Sequence, residues 1–250
     1  MILIKLGGSV ITEKLKEYVF REDVVRQLVG EISEYYSSQK EPIILVHGGG
    51  SFGHPGAKKY GLNTDNPRDI AKGTAEVQYE MRRLNQLFMK ILLDNELWGV
   101  SIPGGVVSTY DDRKLIELRT DIFETLMDLE TIPVTFGDVA LDRTKGVTIC
   151  SGDDLMMGLA HLANKAIFVT DIDGIIKDDE VMETFTEDML PLTPLDRKKT
   201  TDVTGGMEGK VKKMIKMSSL CQTFVVNGLI EGRLTKLLMD EKTTGTEVKR

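Results

Sequence analysis

Six short apolar runs, rich in β-branched residues and each leading within two residues into Gly, Asp or Asn, constrain this chain most. They are Ile2 to Leu6, Pro42 to Val46, Val100 to Pro103, Ile132 to Phe136, Ala166 to Val169 and Thr223 to Val226. Continuous apolar runs of this length read as strands buried on both faces. Helical periods lie between them. Val24, Val25, Leu28, Val29, Ile32 and Tyr36 share one face of an expected helix, with Arg21, Glu22, Arg26, Glu31 and Glu34 on the other. The alternation predicts an α/β fold, an open and mainly parallel sheet sandwiched between helices in αβα layers.

A longer amphipathic stretch, from about Asp69 to Leu97, carries Val77, Met81, Leu84, Leu87, Phe88 and Ile91 at helical spacing. Such a stripe is first of all a core face, and part of it could line a pocket. Val139 to Asp142 and Val147 to Ile149, joined by Arg143 to Gly146, predict a hairpin. The 250 residues hold no internal repeat and no Pro/Ser-rich linker, so one domain, 1–250, is expected. A division into lobes 1–150 and 151–250 follows only the order of elements.

With 41% hydrophobic and 28% charged residues, the composition is that of a globular chain. No window supplies the roughly 18 uninterrupted apolar residues of a membrane span. Met1 to Leu6 run straight into a strand pattern, so a cytoplasmic location is expected. Cys150 and Cys221 give no disulfide framework and no metal-ligand spacing, and read as buried free thiols. The net charge of −7 speaks against a nucleic-acid footprint. Small anions remain possible ligands, because the field within a cleft is set by the few groups that face it.

Polar turns after the strands carry the chemistry. Lys5-Leu6-Gly7-Gly8-Ser9 ends the first strand, with Thr12 and Lys14 close behind. Paired glycines let backbone N–H groups approach an anion, although Gly-Gly is also an ordinary turn. His47-Gly48-Gly49-Gly50-Ser51-Phe52-Gly53-His54 follows the second strand. Gly48, Gly50 and Gly53 satisfy G-x-G-x-x-G, but the acidic residue that a dinucleotide-binding turn needs about 20 residues on is missing. A second anion cradle explains these glycines without it. Ser151-Gly152-Asp153-Asp154 opens a helix, where capping alone would account for the residue types. Thr170-Asp171-Ile172-Asp173-Gly174 starts like a calcium loop but lacks its later ligands. Asp202-Val203-Thr204-Gly205-Gly206-Met207-Glu208-Gly209-Lys210 precedes a helix with Val211, Met214, Ile215 and Ser218 on one side. It is not a Walker loop, yet lysines and N–H groups at these spacings suit phosphoryl transfer, which asks mainly for positioning and charge neutralisation.

Taken together, in this order, the turns and Gly137-Asp138 resemble the amino acid kinase family over nearly the whole chain. Within it, the Gly-Gly-Gly-Ser-Phe-Gly-His run ending in His54, with Lys14, is similar to the branch that phosphorylates isopentenyl phosphate. The resemblance implies ATP and Mg²⁺ carried with it, a small phosphorylated acceptor, and a homodimer. It implies that the first lobe holds the acceptor phosphate and the second the nucleotide. Lys5, Gly7, Gly8 and Ser9 would contact ATP phosphates, and Gly49 and Gly50 would lie between acceptor and γ-phosphate. Lys14 would stabilise the transition state. His54 and Gly152 would hold the acceptor phosphate, while Asp153 would orient the lysines, with Asp154 as the alternative at that helix start. Asp173, Gly206 and Lys210 would serve ATP. No protein metal site, nucleic acid or membrane enters this reading.

Other readings are a kinase of the same fold acting on a phosphonate or a carboxylate, and a non-catalytic nucleotide-binding sensor. His54 favours a phosphate or phosphonate over a carboxylate, and the presence of Lys5, Lys14 and Lys210 favours catalysis.

Overall fold

The structure, a computed structural model, describes residues 1–177, 180–190 and 206–250. All six apolar runs are strands: β1 (Ile2–Leu6), β2 (Ile43–His47), β3 (Gly99–Pro103), β6 (Ile132–Phe136), β9 (Lys165–Thr170) and β13 (Gln222–Asn227). They stand in the order β13-β9-β1-β2-β6-β3, and every neighbouring pair is parallel. β14 (Gly245–Val248) joins β13 antiparallel, and the two-residue β12 (Thr184–Phe185) completes that edge, while β10 (Ile176–Lys177) and β11 (Glu180–Val181) pair only with each other.

Strand alternation sorts side chains onto two cores. Ile2, Ile4 and Leu6 pack on one face, under α1 (Gly8–Ile11), α2 (Glu22–Gln39), α3 (Gly50–Tyr60), α4 (Ile70–Asp94) and α9 (Arg233–Leu238). Leu3, Ile44, Val46, Ala166 and Phe168 pack on the other, under α5 (Gly104–Val107), α6 (Thr120–Asp128), α7 (Gly152–Leu159) and α8 (Gly206–Met217). Lys5 shares the parity of Leu3, so its side chain rises on the α7 side at the carboxyl end of β1.

The expected hairpin is β7 (Asp138–Asp142) with β8 (Gly146–Cys150). It belongs to a four-stranded sheet with β4 (Ser108–Asp111) and β5 (Lys114–Leu118), which the sequence reading did not anticipate. Three further side chains depart from expectation. Leu87, assigned to the buried stripe of α4, is 41% exposed. On α2, Tyr35 rather than Tyr36 is fully inside. Glu31, placed on the solvent face, is only 8% exposed and accepts hydrogen bonds from Gly232 N, Thr235 N and Thr235 Oγ1. Those partners arrive from about 200 residues away, so no local pattern announces them.

From β1 the chain progresses to β2, β6 and β3 on one side and to β9 and β13 on the other. The switch point therefore lies beside β1, where ligands of open α/β sheets bind beyond the carboxyl ends of the strands.

Candidate active site

The turns after β1, β2, β6 and β9 meet over that switch point and line a cleft of about 1440 Å³. Two of them are wedged backbone to backbone. A Cβ on Gly48 would stand 2.6 Å from Gly8 N, and one on Gly8 would overlap Gly50 N. Gly50 also has a left-handed φ of +46°. Thr12 clamps the pair, its Oγ1 donating to Gly8 O at 2.7 Å and accepting from Ser51 N at 3.0 Å. Gly7 N donates to Val169 O and Gly48 N to Leu6 O, which ties both turns to the strand ends.

This leaves donors facing the cavity. Among the described residues, the N–H groups of Gly8, Ser9, Gly49, Gly50 and Gly152 donate to no protein acceptor, and all five residues line the cleft. Converging, unpaired amides of this kind form an anion cradle. Gly53 serves another purpose. It sits inside α3, where a Cβ would come within 2.9 Å of Met81 Sδ, so the last glycine of G-x-G-x-x-G is there for helix packing.

Charged side chains form the opposite wall. At the start of α7, Ser151 and Asp154 make a reciprocal capping box, and Asp154 also pairs with Lys213 at 2.5 Å. Asp153 is thereby the residue that turns inward. It is 7% exposed, and its Oδ1 lies 2.5 Å from Lys5 Nζ. Burial alone would raise the Asp153 carboxyl, but Lys5 and then Lys210 outweigh it and hold the group below its usual range. Burial, followed by the neighbouring Lys5 charge, pushes Lys210 down to about 8. His54, on α3, lines the same cleft; burial and then Lys210 and Lys5 keep its imidazole below the ordinary histidine value.

Lys14 Nζ lies 2.6 Å from Asp171 Oδ2, and Ser9 Oγ donates to Asp171 Oδ1 at 2.7 Å. The sequence reading takes Asp173 from this turn and gives Asp171 no role of its own. The available signal is strand register: Leu6 pairs with Val169, so the residue just past β9 comes alongside the turn holding Ser9. Asp173, the acid singled out from this turn for ATP, is not among the cleft-lining residues. It accepts from Asn227 Nδ2 at 2.9 Å and pairs with Arg233. Gly206 opens α8, which carries Lys210 one turn in, while Asp202 to Gly205 lie outside the described residues.

The apolar part of the cleft is supplied by Val77 and Met81, which pack against the α3 glycines on either side of His54, by Ile149, and by Phe168, Met214 and Val225. Leu84 faces the core and not the cleft. Cys150 and Cys221 are buried thiols, and burial pushes Cys150 up to about 12. Among the described residues no group of His, Cys, Asp or Glu could hold a metal ion, and no helix is long and apolar enough to cross a membrane.

Comparison with known proteins agrees with this geometry. The chain is 32% identical to an isopentenyl phosphate kinase of Methanocaldococcus jannaschii, over 99% of this chain and 98% of that one. It is 29% identical to the isopentenyl phosphate kinase of Methanothermobacter thermautotrophicus, over 99% and 98%. An X-ray structure of isopentenyl phosphate kinase superposes with a TM-score of 0.84 at 24% identity, covering 99% of each chain, which establishes the shared fold. Residues 1–227 match the amino acid kinase family, and the chain belongs to that family.

Proposed function

We propose that this protein transfers the γ-phosphoryl group of ATP to isopentenyl phosphate, forming isopentenyl diphosphate and ADP. The observation that carries the reading is the cleft itself. Unpaired amides from three glycine-bearing turns face Lys5, Lys14 and Lys210 across the sheet's switch point, with an apolar wall beside His54. The names of the relatives agree with it.

In this reading Lys5, Gly8 and Ser9 hold ATP phosphates, Gly7, whose N–H is taken by Val169 O, only lines the approach to them, and Lys210 neutralises charge on the nucleotide side. Gly49 and Gly50 present N–H groups between the two anions. His54 and Gly152 bind the acceptor phosphate. Asp153 orients Lys5 and Lys210, and Lys14 meets charge that develops on the transferring group. Gly206 acts only as the start of the helix bearing Lys210, and we assign nucleotide contact at the β9 turn to Thr170, Asp171 and Ile172 in place of Asp173. The lobes 1–150 and 151–250 then correspond broadly to acceptor and nucleotide, with Lys5 and Gly152 reaching across.

An acceptor phosphate oxygen attacks Pγ while the bond from Pγ to the β-bridging oxygen breaks, and ADP leaves. No general base is required, because the second pKa of a phosphate monoester is about 6 and the attacking oxygen is already anionic near neutrality. Positioning and charge neutralisation supply the rate. Mg²⁺ would neutralise phosphate charge. Since Asp153 and Asp171 are both engaged by lysines, its ligands would be phosphate oxygens and water, with no protein cage. Val77, Met81 and Ile149 would enclose the short hydrocarbon. A cytoplasmic homodimer completes the proposal. β3 is the outer strand of the sheet and is preceded by Trp98, 59% exposed, which a second copy could cover.

The test is ADP release from ATP with isopentenyl phosphate, a small phosphonate, N-acetylglutamate or no acceptor. Turnover should be highest with isopentenyl phosphate. Preference for the carboxylate, or equal release without any acceptor, would refute the assignment, and preference for the phosphonate would redirect it.

A further inference from the structure

His47 ends β2 at the head of the glycine run, is completely buried, and has no part in the chemistry described above. Its ring stacks on Phe136, with centroids 5.0 Å apart and planes inclined by 10°. One hydrogen bond fixes its proton. Nδ1 lies 3.2 Å from Gly48 O, which can only accept, so the single proton of the neutral ring sits on Nδ1 and is donated there. Nε2 is then bare and accepts from Asn85 Nδ2 at 3.1 Å. That turns the carbonyl end of the amide toward β3, where Ser101 Oγ donates to Asn85 Oδ1 at 2.6 Å. Burial pushes the imidazole down to about 4, so the ring stays neutral at working pH.

The consequence lies one peptide further on. A trans peptide points its C=O and N–H in opposite directions. With the Gly48 carbonyl drawn to the buried ring, the Gly49 N–H turns away from it, and Gly49 lines the cleft with that N–H unpaired. Two adjoining glycines have little steric preference of their own for this orientation over the flipped one. We propose that His47 is a positioning residue that locks the Gly48–Gly49 peptide through its Nδ1–H, so that the Gly49 amide is presented to the phosphoryl group in transfer. The proposal rests on the phosphoryl-transfer reading for its kinetic consequence, but its tautomer is a property of the protein alone.

Two measurements test it. In wild-type protein, ¹⁵N NMR of the histidine ring between pH 6 and 8 should show Nδ1 protonated and Nε2 bare. A proton on Nε2 would overturn the inference whether or not the kinase reading holds. Kinetically, His47→Asn places an amide nitrogen near the Nδ1 position, His47→Gln places one near Nε2, and His47→Leu supplies neither. All three lose the ring stack and should show similarly lowered Tm. Loss of the bond should reduce kcat about tenfold in His47→Leu and His47→Gln, with KM for ATP little changed. His47→Asn should recover most of kcat. If kcat simply tracks Tm across the three, His47 is structural and the proposal fails. Should these variants not fold, Ser101→Ala, which unlocks the Asn85 amide, must still lower kcat without raising KM for ATP, and unchanged kcat would count against the relay.

Discussion

On the β1–β2 side of the cleft, the groups facing the ligands are backbone amides of two turns packed so closely that only hydrogen fits between them. Toward α7, β9 and α8 they are lysine side chains: Lys5 and Lys14, which reach over from β1 and the loop after α1 to Asp153 and Asp171, and Lys210 of α8. The amides have fixed geometry and do not titrate. The lysines can adjust their charge and reach, and burial followed by the Lys5 charge pushes Lys210 down to about 8. A phosphoryl transfer needs both kinds: amides preorganised at fixed distances, and cations that follow charge as it moves. The wall of amides should break through sterics, and the wall of lysines through electrostatics.

The largest effect is expected from Gly8→Ala. Its Cβ would overlap Gly50 N, and the backbone cannot yield as a flexible side chain would, so the turns must separate. Overpacking of this kind costs about 1–3 kcal/mol, and displaced amides should reduce kcat at least about a hundredfold. Gly30→Ala, inside α2 with no atom within 4 Å of the added Cβ, is the contrasting control. It should raise stability by roughly 0.5–1 kcal/mol and leave turnover unchanged. Thermal melts and ADP release for both variants check the pair.

Next comes Lys14→Ala on the other wall. It should lower kcat by about two powers of ten with KM for either substrate little altered, because its ammonium meets charge that exists only in transfer. Unchanged kcat in folded protein would remove Lys14 from the mechanism.

A smaller and pH-dependent effect belongs to Lys210. Its ammonium is present below about pH 8 in the empty cleft and lost above it, so kcat/KM for ATP should fall as pH rises through 8. Lys210→Arg should flatten that fall. Stability runs the other way. The folded value lies below the ordinary 10.5, so the unfolded chain binds the proton more tightly and folding is penalised most below pH 8. The penalty shrinks as pH rises from 8 to 10.5. Lys210→Met should therefore raise Tm at pH 7 without nucleotide while weakening ATP use. A lowered Tm there would contradict the burial and Lys5 repulsion read for this site.

The smallest effect concerns the tail. Met81→Ala enlarges the apolar end beside His54 and should shift preference toward longer prenyl monophosphates without much change in ATP use. Unaltered chain-length preference would place the tail elsewhere.

Sequence made the two walls unequally legible. The central strands were readable to within about a residue because burial on both faces writes itself as an apolar run, whereas β3, at the edge of the sheet, has only Ile102 buried. β5 was not: in Lys114–Leu118 three of five residues are exposed, and its one strand partner is β4, with only Leu115 and Leu118 packing inward on α7. The glycine turns were visible as anion cradles, but not their mutual contact, which depends on β1 and β2 being neighbours in register. Side-chain partnerships were hardest. The sequence reading names Asp153 with Asp154 as the alternative, and the capping box that engages Asp154 is a feature of the fold; the proposed shift from Asp173 to Asp171 likewise rests on the end of β9 lying beside Ser9. Glu31 is held by partners about 200 residues away, and the His47 ring by Asn85 and Phe136, so composition and periodicity could not reveal either setting.

The central claim is that one cleft holds two anions in line, with His54 on the acceptor. It is tested most directly by kcat/KM for isopentenyl phosphate in wild type, His54→Gln and His54→Ala, with ATP affinity measured for each. A hydrogen bond to a charged group contributes roughly 1.5–3 kcal/mol, so His54→Ala should weaken acceptor use by about one to two powers of ten. The buried imidazole is held below its usual pKa and acts as a neutral donor, so His54→Gln should keep more activity than His54→Ala. ATP affinity should be the same in all three. Equal acceptor use across the series, or a loss that falls on ATP, would contradict the assignment of the two ends of the cleft.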